Sequence, residues 1–265
     1  MTSTVGTTPD YSFARRPKWV ISHVLVLLLI AAMLGAGFWQ ISRHRDRSER
    51  NDLVRVRVDE APVALASIAA PGVDASVGED EQFRRVTVTG RYVPEDEVLI
   101  RNRTFGGSPG WWVLTPFITD QGWAVAVNRG WIPLSFEADA ARPGTEPPAG
   151  TIELVGTVQP ARTAEGFQVA DPAEGTLSSL GRPDVERLAQ QVDYELSPVV
   201  VRLEPVASAD DDYPVPLELP ALDGGPHASY AAQWFIFSAI AIGGYPLVLR
   251  RVSRGRADSF ADDEI

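Results

Sequence analysis

Two stretches of this chain carry no formal charge and are long enough to cross a bilayer, and they constrain its organisation more than any other feature. Residues 19–41, WVISHVLVLLLIAAMLGAGFWQI, supply 23 positions. At 1.5 Å per helical residue they reach about 35 Å, against a hydrocarbon core of about 30 Å. Residues 230–249, YAAQWFIFSAIAIGGYPLVL, supply 20 more, with Gln233 and Ser238 as the clearly polar members. Gly243, Gly244 and Pro246 would be costly in an exposed soluble helix, but membrane helices tolerate them because neighbouring groups satisfy the freed backbone.

The first run follows Arg15, Arg16 and Lys18, as a secretory signal would, yet it is longer than a signal core. It ends in Phe38, Trp39 and Gln40 rather than in a small-residue cleavage site, so it reads as a retained anchor. Basic residues set the orientation. Arg250, Arg251, Arg254 and Arg256 follow the second run, whereas DDDYPVPLELPALDGGPH before it has no basic residue except His227. Arg43, Arg45, Arg47 and Arg50, just after the first run, point the other way. The cleaner asymmetry of the second run decides, because long domains cross a membrane largely regardless of charge.

The expected organisation is a cytoplasmic segment at 1–18, a first transmembrane helix at 19–41 and an extracytoplasmic domain at 42–229. A second transmembrane helix at 230–249 and a cytoplasmic tail at 250–265 complete it. This is a multi-pass protein of the cell (plasma) membrane with the lipid bilayer as one partner.

Charge and cysteine usage exclude several functions. With 24 basic against 35 acidic residues, the chain lacks the basic face a nucleic-acid partner requires. It has no cysteine, hence no disulfide framework, thiol nucleophile or thiolate metal site. Met1 and Met33 are the only methionines, too few for the usual soft-ligand copper carrier.

Between the two runs, apolar residues recur with a period near two and are interrupted by Gly, Pro and Asp, the pattern of strands and turns. Strands are expected at 84–92, 97–103, 111–119, 123–128, 152–159 and 199–204. Asp120, Gln121 and Gly122 should turn a hairpin, since glycine there accepts positive φ. One helix is expected at 183–192. Pro183 suits its first turn, Asp184 and Glu186 suit the positive end of the dipole, and Val185, Leu188, Ala189 and Val192 fall at helical spacing. Residues 138–150 and 207–226 read as loop and linker. The fold class is therefore two transmembrane α-helices flanking an α+β, β-rich extracytoplasmic domain.

No GxSxG, HExxH, P-loop or dinucleotide fingerprint is present, so no catalytic residue is expected and the chain does not read as an enzyme. Asp210, Asp211 and Asp212 sit in a Pro-rich linker and read as solvated charge. His227, Tyr230, Ala231 and Trp234 fall at i, i+3, i+4 and i+7 if the second helix starts a few residues early. That face would offer an imidazole, a phenol and an indole to a flat porphyrin, with His227 as iron ligand; the competing reading is an amphipathic interfacial belt. His23, within the first run, should face a partner helix or cavity, or snorkel to the cytoplasmic surface. The segment from Asn128 to Trp131 reads as a strand ending in a turn at Gly130. Arg129 and Trp131 are residue types that anchor protein interfaces, and a buried structural arginine is the alternative.

Several motifs in order resemble the Surfeit locus protein one family of cytochrome c oxidase assembly factors. They are Gly37-Phe38-Trp39-Gln40 followed by Arg43, then Phe83 to Gly90, Arg101-Asn102-Arg103, Gly110 to Pro116, and Val127 to Pro133. His227 through Tyr230-Ala231 and Gln233-Trp234-Phe235 close the series. The Ala- and Pro-rich segment 60–80 and the acidic tail beyond Arg256 depart from the family's common form.

The resemblance implies a non-enzymatic assembly factor for a haem-copper (aa3-type) oxidase in the respiratory chain. It implies transient, non-covalent handling of haem a near the catalytic subunit, with His227 as the family's candidate haem ligand beside Tyr230 and Trp234. Partner contacts are expected at Trp39, Gln40, Arg129 and Trp131. The second reading is a cofactor-free accessory or docking protein of the oxidase complex.

Overall fold

The computed structural model describes residues 11–136, 142–205 and 213–261. In chain order the elements are α1 (Pro17–Asp59), β1 (Val63–Ala64), α2 (Val77–Asp80), β2 (Arg85–Tyr92), β3 (Val98–Phe105) and β4 (Ser108–Thr119). There follow β5 (Ala124–Pro133), β6 (Ile152–Pro160), β7 (Ser179–Leu180), α3 (Val185–Ala189), β8 (Leu196–Leu203) and α4 (His227–Ala261). The chain forms two compact units, Met1–Asp52 with Leu222–Ile265, and Leu53–Ala221, the division falling within α1.

The first unit is a helix pair. Two helices, Pro17–Asp59 and His227–Arg254, are long and apolar enough to cross a membrane. Both outrun the apolar stretches that nucleate them: α1 continues past Ile41 through the arginine-rich segment, and α4 begins at His227. The helices run antiparallel. Phe38 meets Phe235 edge to face at 5.4 Å, and His23 meets Tyr245 near the other end.

On α1 the less exposed positions include Trp19, His23, Val26, Ile30, Met33, Gly37 and Gln40, alternating four and three residues apart, with Ser22, Leu34, Ala36 and Ile41 beside them. On α4 they include His227, Ala231, Trp234, Ser238, Ala241 and Tyr245, with the same alternation, and Phe235 and Gly244 beside them. A repeat of 3.5 keeps one narrow seam facing a partner helix. Gly37 lets the helices fit there, since a Cβ would lie 2.9 Å from the Phe235 ring. The rest of the apolar surface faces outward: Leu27 and Leu247 are each 65% exposed.

The second unit is a barrel. Strands pair in the order β2, β6, β8, β5, β4, and a β2–β4 pairing closes the ring. β5 and β8 are parallel and the other ring pairs antiparallel, an OB-like Greek-key arrangement. β3 and then β7 extend the sheet outward from β4, and β1 lies along β2.

Val86, Val88, Phe117, Val125, Val127, Val199 and Val201 fill the interior. The outer face of the same strands carries Val98, Ile100, Leu114, Ala126 and Val200, covered by Val185 and Leu188 of α3. With both faces buried, β5 and β8 are near-continuous apolar runs rather than alternating ones. The α3 helix is shorter than the periodicity predicts; Asp184 caps it by accepting a 2.9 Å hydrogen bond from the Arg187 amide.

All six expected strands form, within a few residues of their expected ends. β1 and β7, of two residues each, are too short to show a period. The 120–122 turn joins β4 to β5, with Gly122 at φ +89°. The expected turn at Gly130 is corrected: Asn128 to Trp131 lies inside β5, which runs on to Pro133. The register against β4 shifts where Gly130 and Asn128 face Val113 and Leu114, so Arg129 is the extra residue of a bulge. Gly130 sits at φ +138°, and only glycine fits there, since a Cβ would lie 2.3 Å from the Val215 carbonyl oxygen. That close approach comes from the 213–226 segment, read as plain linker, where Val215 pairs with Trp131. The Asp210 to Asp212 run lies outside the described residues.

Candidate functional site

The start of α4 is built by a sharp turn. Gly225 takes φ +60°, and Pro226 offers its carbonyl to the Ser229 hydroxyl at 2.7 Å and the Tyr230 amide at 3.1 Å. The turn is tied to α1 by residues that hydropathy gave no reason to single out. Arg47 donates to the Asp223 carbonyl and carboxylate at 3.0 and 2.6 Å, and Asn51 donates to the same carbonyl at 2.8 Å. The arginines that argue against the orientation thus include one that shapes the site. The 3.5-residue seam continues through His44, Arg47 and Asn51, and this was the available signal.

The turn delivers His227 to Gln40, 187 positions earlier, with Nδ1 2.8 Å from the amide oxygen Oε1. A carbonyl oxygen accepts, so as the amide is oriented Nδ1 carries the proton and Nε2 keeps its lone pair. A ring held through one nitrogen by an oxygen acceptor is the usual arrangement of a ligating histidine. Among the described residues, no group of three or more His, Cys, Asp or Glu side chains is gathered as a metal site.

Tyr230 is 48% exposed and Trp234 half-buried. Ala231, expected as the small residue of an open face, is 4% exposed and lies in the helix seam. The seam thus cuts into the expected platform, leaving His227 and Trp234 at its edge and Tyr230 outside.

Of the other expected site residues, Trp39 is 56% exposed, with the Arg43 guanidinium 5.9 Å from its ring, and Gln40 is engaged with His227. Arg129 and Trp131 both face into the second unit and are buried. Arg129 donates to Glu97 Oε2 at 2.9 Å and to the Thr145 carbonyl at 2.6 Å, and lies over the Tyr92 ring. Glu97 also accepts from Arg142 at 2.6 Å and from the Thr115 hydroxyl at 2.6 Å. Of the two expectations for Arg129, the buried structural arginine describes this geometry.

Burial, partly offset by Arg129, pushes the Tyr92 phenol up to about 12. A cleft of about 730 Å³ opens beside Tyr92 and Arg129, walled by Ile152, Leu154, Leu203 and Pro214.

His23 faces the partner helix, as one of its two expectations held. Its Nε2 donates to the Ala14 carbonyl at 3.1 Å, and the Tyr245 hydroxyl donates to Nδ1 at 2.6 Å. Ser22 lies 3.0 Å from the same hydroxyl. No polar atom of the three side chains lacks a partner.

The model of the SURF1 family matches residues 27–239, a stretch that includes most of α1, the whole barrel and the start of α4. The chain belongs to the SURF1 family. It is 28% identical over 240 residues to an uncharacterized SURF1-like protein of Mycobacterium tuberculosis, covering 88% of this chain and 84% of that one. A SURF1-like protein of Rickettsia bellii is 22% identical over 234 residues, covering 87% and 90%. The Saccharomyces cerevisiae protein named cytochrome oxidase assembly protein SHY1 is 28% identical over 116 residues, covering 43% of this chain and 28% of that one.

Proposed function

We propose that this chain is a membrane-anchored, non-enzymatic assembly factor for a haem-copper cytochrome c oxidase, acting where haem a enters the catalytic subunit. The observation that carries the reading is the His227–Gln40 pair within a family that includes a yeast protein named for oxidase assembly. The apolar surfaces of α1 and α4 fit a lipid environment, with both termini in the cytoplasm and the barrel outside it. This orientation follows the arginines after residue 249.

In this reading His227 would hold the haem through its imidazole, and Gln40 fixes that ring through Nδ1. Trp234 and Tyr230 flank the imidazole with flat apolar surface. The haem, when bound, supplies only its iron and its ring as cargo; this chain holds and orients it and does no redox chemistry. No acid, base or nucleophile is needed for such a hand-over.

The test is a visible spectrum of the full chain purified in mild detergent from cells that make haem a, with co-purifying proteins identified by mass spectrometry. Haem a should be bound by the wild type, lost in His227→Ala and weakened in Gln40→Leu. Oxidase subunits co-purifying without haem, and unaffected by His227→Ala, would leave the cofactor-free docking function in its place.

A further inference from the structure

On the outer face of the barrel Ile100 and Leu114 share one apolar cluster with Val185 and Leu188 of α3, and Trp112 packs at its margin. Beyond it the same face continues along β3, β4 and β5 as a ladder of Trp112, Arg103, Trp131 and Phe105. The Arg103 guanidinium lies 4.4 Å from the Trp112 ring centroid, and the Phe105 ring lies 5.6 Å from Trp131, tilted by 30°. Gly110 makes room for the ladder, since a Cβ there would lie 2.5 Å from the Trp131 indole. Phe105 is 38% exposed, and Trp112 is half-buried.

The charge at this place is unusual. Arg103 donates to the Gly181 carbonyl at 3.3 Å, and Arg182, the next residue, donates to the Val169 carbonyl at 3.3 Å. Both partners are neutral. Among the described residues no carboxylate lies within ion-pair distance of either guanidinium, although neighbouring Arg101 has Asp171. The Nε–H of Arg103 is buried without a hydrogen-bond partner. Burial, and Arg182 beside it, push the Arg103 guanidinium below its ordinary range. In a chain of net charge −11, two neighbouring guanidiniums with no carboxylate in ion-pair distance among the described residues are a local exception, and like charges near one another favour an added anion.

We propose that Arg103 and Arg182, with the exposed edges of Trp112 and Phe105, form a docking site for an acidic segment of a partner protein that also carries an aromatic or aliphatic side chain. Arginine and large aromatic groups side by side are the residue types that concentrate binding energy at protein interfaces. The guanidiniums would take carboxylates through charge-assisted hydrogen bonds. Phe105 and Trp112 would be covered by the apolar side chain, which an inorganic anion would leave exposed. The site belongs to the barrel and stands whether or not His227 binds haem.

The test uses the full chain in neutral detergent and a fluorescent peptide, acetyl-Glu-Phe-Glu-Phe-Glu-amide, with binding read by anisotropy. The wild type should bind it with an affinity that falls as salt rises, and should ignore the peptide with Gln in place of Glu. Arg103→Gln and Arg182→Gln should each weaken binding by about fivefold, while Arg162→Gln, which alters an exposed pair with Glu79 elsewhere, should not. As a check independent of any loss of folding, Arg182→Glu should gain affinity for the matching Lys-Phe peptide. Binding as tight as the wild type's in both Arg103→Gln and Arg182→Gln would overturn the proposal. So would full competition by inorganic phosphate, which would indicate a small-anion site. Binding of phosphatidylglycerol vesicles through the same arginines, with none of the peptide, would also overturn it and assign the site to lipid.

Discussion

The helix pair and the barrel both hold polar groups away from water, and they do it in opposite ways. In the pair the interior polar groups are imidazole, hydroxyl and amide: His23, Tyr245 and Ser22 form one short chain of hydrogen bonds, and His227 meets Gln40. In the barrel the buried groups are charged, with Glu97 between Arg129 and Arg142 and each carboxylate oxygen accepting from a guanidinium. The difference follows from packing. Strands covered on both faces enclose a charge on all sides and can satisfy every lone pair. Two helices meeting along one seam leave most of their surface open, and an ion there would face outward without partners.

The largest expected effect tests the charged side of that contrast. Glu97→Gln should destabilise the barrel by about 3–5 kcal/mol, because it leaves two buried guanidiniums without their anion. Denaturant unfolding followed by tryptophan fluorescence would measure this. A loss below about 1 kcal/mol would mean that water reaches the cluster and that the barrel does not differ from the pair in kind.

A pH experiment sharpens the same point. The Tyr92 phenol is held up to about 12 in the folded state against an ordinary value of 10.0. The folded chain therefore retains a proton that the unfolded chain releases between these values. Its contribution is complete below pH 10 and is lost as pH rises toward 12. The wild type should lose roughly 2–3 kcal/mol more than Tyr92→Phe across that window. Parallel alkaline curves for the two would show that the phenol is solvated.

The smallest effect belongs to the helix pair. Tyr245→Phe removes the hydroxyl shared by His23 and Ser22. It should weaken helix association by about 0.6 kcal/mol, and by no more than about 1.7, as read from reversible unfolding in mixed micelles. A loss comparable to that of Glu97→Gln would remove the contrast between the two regions.

Much of the fold was legible in the chain because its signals are local. Uncharged runs of about 20 residues mark the helices, and alternation with Gly and Asp punctuation marks the barrel strands. Where both faces of a strand are buried the alternation disappears, so the end of β5 was misread as a turn at Gly130. Two-residue strands such as β7 have no period to read. For the site, His227, Tyr230 and Trp234 could be named from helical spacing. That Ala231 would face α1 could not, because spacing along one helix does not say which side its partner takes.

Sequence alone determined where the apolar helices and the barrel strands lie, because hydrophobic period and turn chemistry are properties of neighbouring residues. Tertiary structure decided which distant residues meet. Gln40 reaches His227 across 187 positions, Arg47 holds the turn before α4, Glu97 lies between two arginines, and Arg103 reaches the Gly181 carbonyl beside Arg182. Such pairings depend on the path by which the chain returns, and no local pattern encodes that path.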